Sequence, residues 1–320
     1  MNNFHLNVDE LEPLGRNLHR PECVLCTRNG SLFVSDWRGG VTHLAPDGSQ
    51  EAILDRANSH LRPNGIALLR DGSFLLADMG EAGGVWRLDL EGKAEPFIMT
   101  VDGIDLSSCN FVMTDSLDRV WITVSTQHSP RSLGYRPDID DGFIVLKDSH
   151  GARIVADGIS YTNEIRLDVE NKYLYVVETF GRRLSQFQVD KNGQLSNKKT
   201  VSTFGHGIFP DGLCLDSEGG IWITSVVSNR LIRIAPDGSQ HMILEDCDPE
   251  HLEIVEQAFL KGQMGRKHLD TVRSHRLRHI SSLAFGGSDL CTIYLGSLMG
   301  DHLLSFRSPF SGQPPVHWEW

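Results

Sequence analysis

Six oxygen-bearing residues each stand at the head of an apolar run: Glu22, Asn64, Asn110, Asn163, Asp211 and Ser281 or Ser282. Two of them are carboxylates, and Asn110 and Asn163 add neutral amide oxygens. Brought together, such a set suits one hard divalent cation, Ca²⁺ or Mg²⁺, and less well Mn²⁺ or Zn²⁺. Without a cation, two adjacent carboxylates repel and one tends to keep a proton. Any single member has a plainer reading, because Asn and Asp often only cap turns. Six copies, one of them Glu, are more than turn geometry requires. No His or Cys set has zinc-ligand spacing, and His206, His268 and His275 read as rim or surface residues. Cys23 and Cys26 form a lone C-x-x-C with no partner motif, so they read as small buried hydrophobes. No G-x-S-x-G occurs, which disfavours hydrolysis through a serine nucleophile.

The elements that must position these residues repeat along the chain. ECVLCTRNGSLFVSDWRGGVTHLAPDGS begins at Glu22 and NGIALLRDGSFLLADMGEAGGVWRLDLEGK at Asn64. Related units begin at Asn110, Asn163, Asp211 and Ser282, at spacings of 42, 46, 53, 48 and 71 residues from the first to the last. A period of about 40–50 residues with several short strands per unit marks the blades of a β-propeller. Asp47-Gly48, Asp71-Gly72 and Asp237-Gly238 supply the positive φ of tight hairpins. The expected fold is all-β: a six-bladed propeller forming one domain over residues 1–320, with an N-terminal strand helping to close the ring. Two insertions break the rhythm, Gln127 to Asp141 in blade three and Asp248 to His279 between blades five and six. The second predicts an amphipathic helix, with Pro249 near its start and Leu252, Val255, Ala258 and Phe259 on one face. It is either a lid over the site or a packing helix.

The chain has 320 residues, with 30 Lys and Arg against 42 Asp and Glu, a formal charge of −12. That balance argues against nucleic-acid binding and against an anionic membrane surface. No apolar run approaches the roughly 18 residues of a membrane span, and no secretory signal opens the chain. A cytoplasmic protein with a small-molecule substrate is expected, its oligomeric state open.

PECVL at Glu22, RPNGIAL at Asn64, YTNEIRLD at Asn163, FPDGLCLDSEGGIWI at Asp211 and AFGGSDLCTIYLGS near the end are the strongest motifs. Through them the chain resembles the senescence-marker-protein (regucalcin), gluconolactonase and luciferin-regenerating-enzyme family. The resemblance implies one divalent metal, Ca²⁺ first, held by Glu22, Asn163 and Asp211, with Asp211 also the general base. It implies substrate contacts from Asn110 and Asn64. Sugar-lactone members carry an Arg two residues before Asn110, where this chain has Ser108, and family members usually have Asn-Gly where it has Asn163-Glu164. With Trp37, Phe111, Tyr161, Phe180 and Phe209 expected around the pocket, Ser108 points away from a plain aldonolactone, toward a smaller or more apolar lactone or ester. The activity implied is lactone hydrolysis, by metal polarisation of the carbonyl and carboxylate-assisted attack of water. A metal-dependent lyase, isomerase or phosphotriesterase on the same site, or a non-enzymatic calcium-binding propeller, is the alternative.

Overall fold

A computed structural model describes residues 4–57 and 60–320. It contains six four-stranded antiparallel sheets. The innermost strand of each is Val24–Cys26, Pro63–Leu68, Cys109–Thr114, Thr162–Leu167, Ile208–Leu215 and Ile280–Gly286. Each inner strand touches the next, and the sixth returns to the first, so the sheets are the blades of a six-bladed β-propeller around a central channel. The ring closes through the N-terminus: Glu12–Leu14 pairs antiparallel with Leu303–Arg307 as the outermost strand of blade six. A terminal strand held this way leaves no open edge at the seam.

The sequence repeats because the blades repeat their physics. In the Asp-Gly-Ser turns, Asp47, Asp71 and Asp237 each accept the N–H of the serine two residues on, while Gly48, Gly72 and Gly238 take positive φ. In blade five, Asp216 accepts the Gly220 N–H at 2.7 Å, the Trp222 indole N–H at 2.9 Å and Arg233 Nε at 2.6 Å. Asp115, Trp121 and Arg119 repeat that device in blade three, at 2.8 Å and 2.6 Å. Each aspartate therefore ties a turn, a fully buried tryptophan and a buried arginine together out of water. Apolar clusters fill the spaces between sheets.

Two helices, α1 (Pro249–Leu260) and α2 (Arg266–Asp270), follow the last strand of blade five and precede the first of blade six. Asp248 caps α1 by accepting the His251 N–H at 2.7 Å, and Pro249 opens it. Leu252, Val255 and Phe259 are buried on its inner face. No helix among the described residues is long and apolar enough to cross a membrane.

Candidate functional site

Five of the six ring residues sit where their inner strand loses register with the strand beside it. The shifts fall between Pro63 and Ile66, Cys109 and Phe111, Thr162 and Ile165, Pro210 and Leu213, and Ile280 and Ser282. Those intervals contain Asn64, Asn110, Asn163, Asp211 and Ser281. A bulge turns a side chain out of the pleat, and these five residues share that place at the start of their inner strands. Glu22 lies two residues before the blade-one strand. The ring is crowded enough to exclude side chains at its seams. A Cβ on Gly65 would lie 2.7 Å from Phe111 Cα, and one on Gly212 2.4 Å from the Ser281 carbonyl oxygen.

Glu22, Asn163 and Asp211 are 7 %, 5 % and 6 % exposed. Burial pushes the Asp211 carboxyl well above its ordinary range, and the charges of Glu22 and Glu164 push it the same way. Arg20 and a hydrogen bond from Asn163 act against that shift without cancelling it. Asn163 Nδ2 also donates to Thr179 Oγ1 at 3.0 Å, which orients the amide. Asn64 Nδ2 donates to the Asn110 carbonyl oxygen at 3.0 Å, and Asn110 Nδ2 donates to Ser125 Oγ at 3.0 Å. Asn64 Oδ1 and Ser282 Oγ are buried without a partner. Among the described residues no group of three or more His, Cys, Asp or Glu is placed to hold a metal. What the mouth does hold is Asp211, which burial and neighbouring carboxylates disfavour as an anion, and Glu22, paired with Arg20, together with amide and hydroxyl oxygens, of which Asn64 Oδ1 has no partner. That donor set fits a hard cation.

The remaining expected residues divide. Phe180 is buried at the mouth, its ring 4.8 Å from Tyr135, 4.7 Å from Tyr161 and 6.1 Å from Phe209. Phe259 of α1 joins this cluster at 5.3 Å from Phe209, so α1 packs over the same face. Trp37 is a platform: the Arg20 guanidinium lies 4.1 Å from its ring centroid, and Arg62 Nη1 donates to its carbonyl oxygen at 2.7 Å. Ser108 is buried, its carbonyl oxygen accepting the Ser125 N–H at 3.0 Å. His206 is a surface residue paired with Glu253, His275 is exposed, and His268 is buried in α2. Cys23 and Cys26 are buried free thiols, Cys23 pushed up to about 12 by burial, so neither is primed for redox or metal chemistry.

Phe111 departs from expectation. It follows Asn110 toward the far end of the channel, where the Arg166 guanidinium stacks on it at 4.7 Å. Arg166 in turn pairs with Glu164 at 3.0 Å. Burial raises the Glu164 carboxyl to about 7 even so, because desolvation outweighs the attraction of Arg166. Glu164 stands at the position of Gly65 and Gly212 in their blades, accepts the Leu213 N–H of the next blade at 3.2 Å, and with Arg166 and Phe111 forms a buried plug. Beyond this plug an apolar cavity of about 300 Å³ opens at the opposite mouth, among Cys26, Ala67, Thr114, Leu167 and Phe285, with Pro314–His317 along its wall. It is the more apolar space, but it lies away from the ring of carboxylates and amides.

Sequence reasoning also missed Arg20, which donates from Nε to Glu22 Oε2 at 2.9 Å. A cation two residues before Glu22, the acidic head of the first repeat, was the available signal. Arg20 stands beside the aromatic cluster of Tyr161, Phe180 and Phe209 as a buried guanidinium held by Glu22 and the Trp37 ring.

A six-bladed propeller with a buried carboxylate and amide ring at one mouth defines a recognisable class. Residues 20–245 match the SMP-30/Gluconolactonase/LRE-like region, and the chain belongs to that family. It is 25 % identical to the 6-deoxy-6-sulfogluconolactonase of Pseudomonas putida over 72 % of this chain and 67 % of that one. It is 27 % identical to the regucalcin of Danio rerio over 52 % of this chain, and there it spans about half, 48 %, of the relative. The structure of a calcium-binding protein, regucalcin, from Agrobacterium tumefaciens superposes with a TM-score of 0.68 over 97 % of both chains at 15 % identity.

Proposed function

We propose that the protein opens a lactone by hydrolysis with the help of one divalent cation, Ca²⁺ first among the candidates, held by Glu22, Asn163 and Asp211. The observation that carries this reading is the grouping of buried Glu22 and Asp211, whose charges repel, with the amides of Asn64, Asn110 and Asn163 at the heads of the inner strands. A cation bound there would polarise the substrate carbonyl and stabilise the charge that develops on its oxygen. Asp211, whose affinity for a proton is raised, accepts the proton of the attacking water. Asn110 and Asn64 orient the substrate, and Asn64 Oδ1 is free to accept from a hydroxyl. Phe180 and Tyr161 wall the site, and the residues from Asp248 to His279, carrying α1, act as its lid. The lactonase relative and the calcium-binding neighbour support the reaction and the ion respectively. The acidic chain takes a small-molecule substrate and no nucleic acid or membrane surface, within a single domain. Its six free cysteines suit a reducing compartment such as the cytoplasm.

The test is Asp211→Asn, followed by calorimetric Ca²⁺ titration and by proton release from lactones. Loss of both ion binding and turnover supports the assignment. Retention of both sinks it. Ion binding without turnover of any lactone in the wild type moves the site toward non-hydrolytic metal chemistry or calcium binding alone.

A further inference from the structure

The residues two places ahead of the ring members form a second tier above it: Arg20, Arg62, Ser108, Tyr161, Phe209 and His279. Arg20, Tyr161 and His279 take positive φ, at 52°, 60° and 59°, so the backbone accepts strain where it enters the site. The arginines of this tier are engaged. Arg20 is committed to Glu22 and to the face of Trp37, and Arg62 to the carbonyl oxygens of Trp37 and Leu61.

Arg131 is different. It comes from the blade-three insertion, in the short 3-10 turn Arg131–Gly134, and its Nη1 is buried without a hydrogen-bond partner. It lies within electrostatic reach of Tyr135 and Tyr161, whose rings are 5.3 Å apart. It also lies within electrostatic reach of Glu22. Arg266, the first residue of α2, acts on Arg20 and Tyr161 and is paired with Asp270 at 2.9 Å. Arg20, Arg131 and Arg266 come from three separate segments, and Arg20 is within electrostatic reach of both the others.

Charge makes this arrangement specific. If a divalent cation neutralises Glu22 and Asp211, as the lactonase reading requires, Arg131, whose Nη1 has no partner, is left with no anion to answer its charge. Buried charge without a partner is expensive, and sugar hydroxyls do not neutralise it. A planar guanidinium matches a carboxylate through two parallel N–H···O bonds. We propose that the substrate carries an oxyanion substituent, of which a carboxylate is the simplest, in addition to the carbonyl that reacts, and that Arg131 is the residue that holds it. This proposal rests on the lactonase reading. It replaces an apolar substrate by an acidic one.

Binding tests it without turnover. The opened product of any lactone has a carboxylate at the reacting carbon, so the comparison is glucarate, with a carboxylate at each end, against gluconate, with one. Calorimetry on the Ca²⁺-loaded wild type is expected to give glucarate roughly a ten- to hundredfold tighter affinity, the strength of a charge-assisted hydrogen bond. Arg131→Met brings the two ligands to near equality while its own melting temperature shows that it folds. Arg131→Lys, which keeps a charge but loses the fork, keeps part of the preference and decides the matter should Arg131→Met not fold. Equal affinity in the wild type, or a preference undiminished in either variant, overturns the proposal. Hydrolysis of glucarolactone and gluconolactone separates this from the reaction itself. Turnover of the neutral lactone with no binding preference overturns the acidic substrate and leaves lactone hydrolysis standing. A binding preference with neither lactone opened supports the anion site and counts against hydrolysis.

Discussion

Replacing Asp211 by Asn should reverse its rank against the wild type according to whether a cation is present. In chelator, the wild type must fold around a carboxyl that burial, Glu22 and Glu164 all disfavour as an anion. The unfolded chain releases that proton near 3.8, while the folded protein holds it to higher pH. Across that window the folded state binds more protons, so wild-type stability falls as pH rises through the folded value. Asp211→Asn has no such proton to lose, so in chelator at neutral pH it should melt at or above the wild type. Added Ca²⁺ inverts the order. At a hundredfold excess over its dissociation constant the ion stabilises the wild type by about 2.7 kcal/mol. With an unfolding entropy of roughly 2.1 cal/mol/K per residue, a chain of 320 residues should then melt about 4 °C higher. Asp211→Asn should gain little or nothing. Differential scanning calorimetry at several pH values, with chelator and with Ca²⁺, reads all four states. A full Ca²⁺ shift in Asp211→Asn, or chelated wild type that is steadily stabilised as pH rises through the neutral range, would refute the reasoning.

Asp115→Ala strips the carboxylate from buried Arg119 and from the Trp121 indole, and should cost about 3–5 kcal/mol, seen as a melting temperature lower by several degrees. Gly212→Ala would force its Cβ to within 2.4 Å of the Ser281 carbonyl oxygen, so the blade-five inner strand must shift. Turnover and Ca²⁺ affinity should both fall, and a variant with wild-type values for both would show that the seam is looser than described. Phe259→Ala removes the α1 anchor between Phe180 and Phe209, at roughly 3–5 kcal/mol if the loss is borne by the whole fold. Faster limited proteolysis between residues 248 and 279, together with an altered KM, is the expected outcome, and an unchanged cleavage rate would argue that α1 is held by other contacts.

The blades were legible because their signals are local and repeated. Asp-Gly turns, alternating apolar residues and the Asp-to-Trp device each occupy a few residues, and the six repeat starts fall on or beside the six inner strands. The N-cap of α1 was likewise written in Asp248 and Pro249. What the sequence did not disclose depends on contacts across the ring. Arg20 is remote in sequence from Arg131 and Arg266, and only closure of the propeller brings their charges together. Phe111 read as a pocket aromatic along with Trp37, Tyr161, Phe180 and Phe209, but its ring carries the Arg166 guanidinium, a partner 55 residues away in sequence. Glu164 read as a weak match to Asn-Gly. Its role as half of a channel plug needed Arg166 and Phe111 in three dimensions.

The central claim is metal-assisted lactone hydrolysis at the Glu22, Asn163 and Asp211 mouth. It is tested most directly by stripping the protein with chelator, restoring Ca²⁺, Mg²⁺, Mn²⁺ or Zn²⁺ one at a time, and following proton release from neutral, acidic and apolar lactones. The account predicts no turnover in the stripped protein and turnover restored by a divalent cation, Ca²⁺ first. Silence across the panel with every ion, in protein shown by calorimetry to bind one, would contradict it.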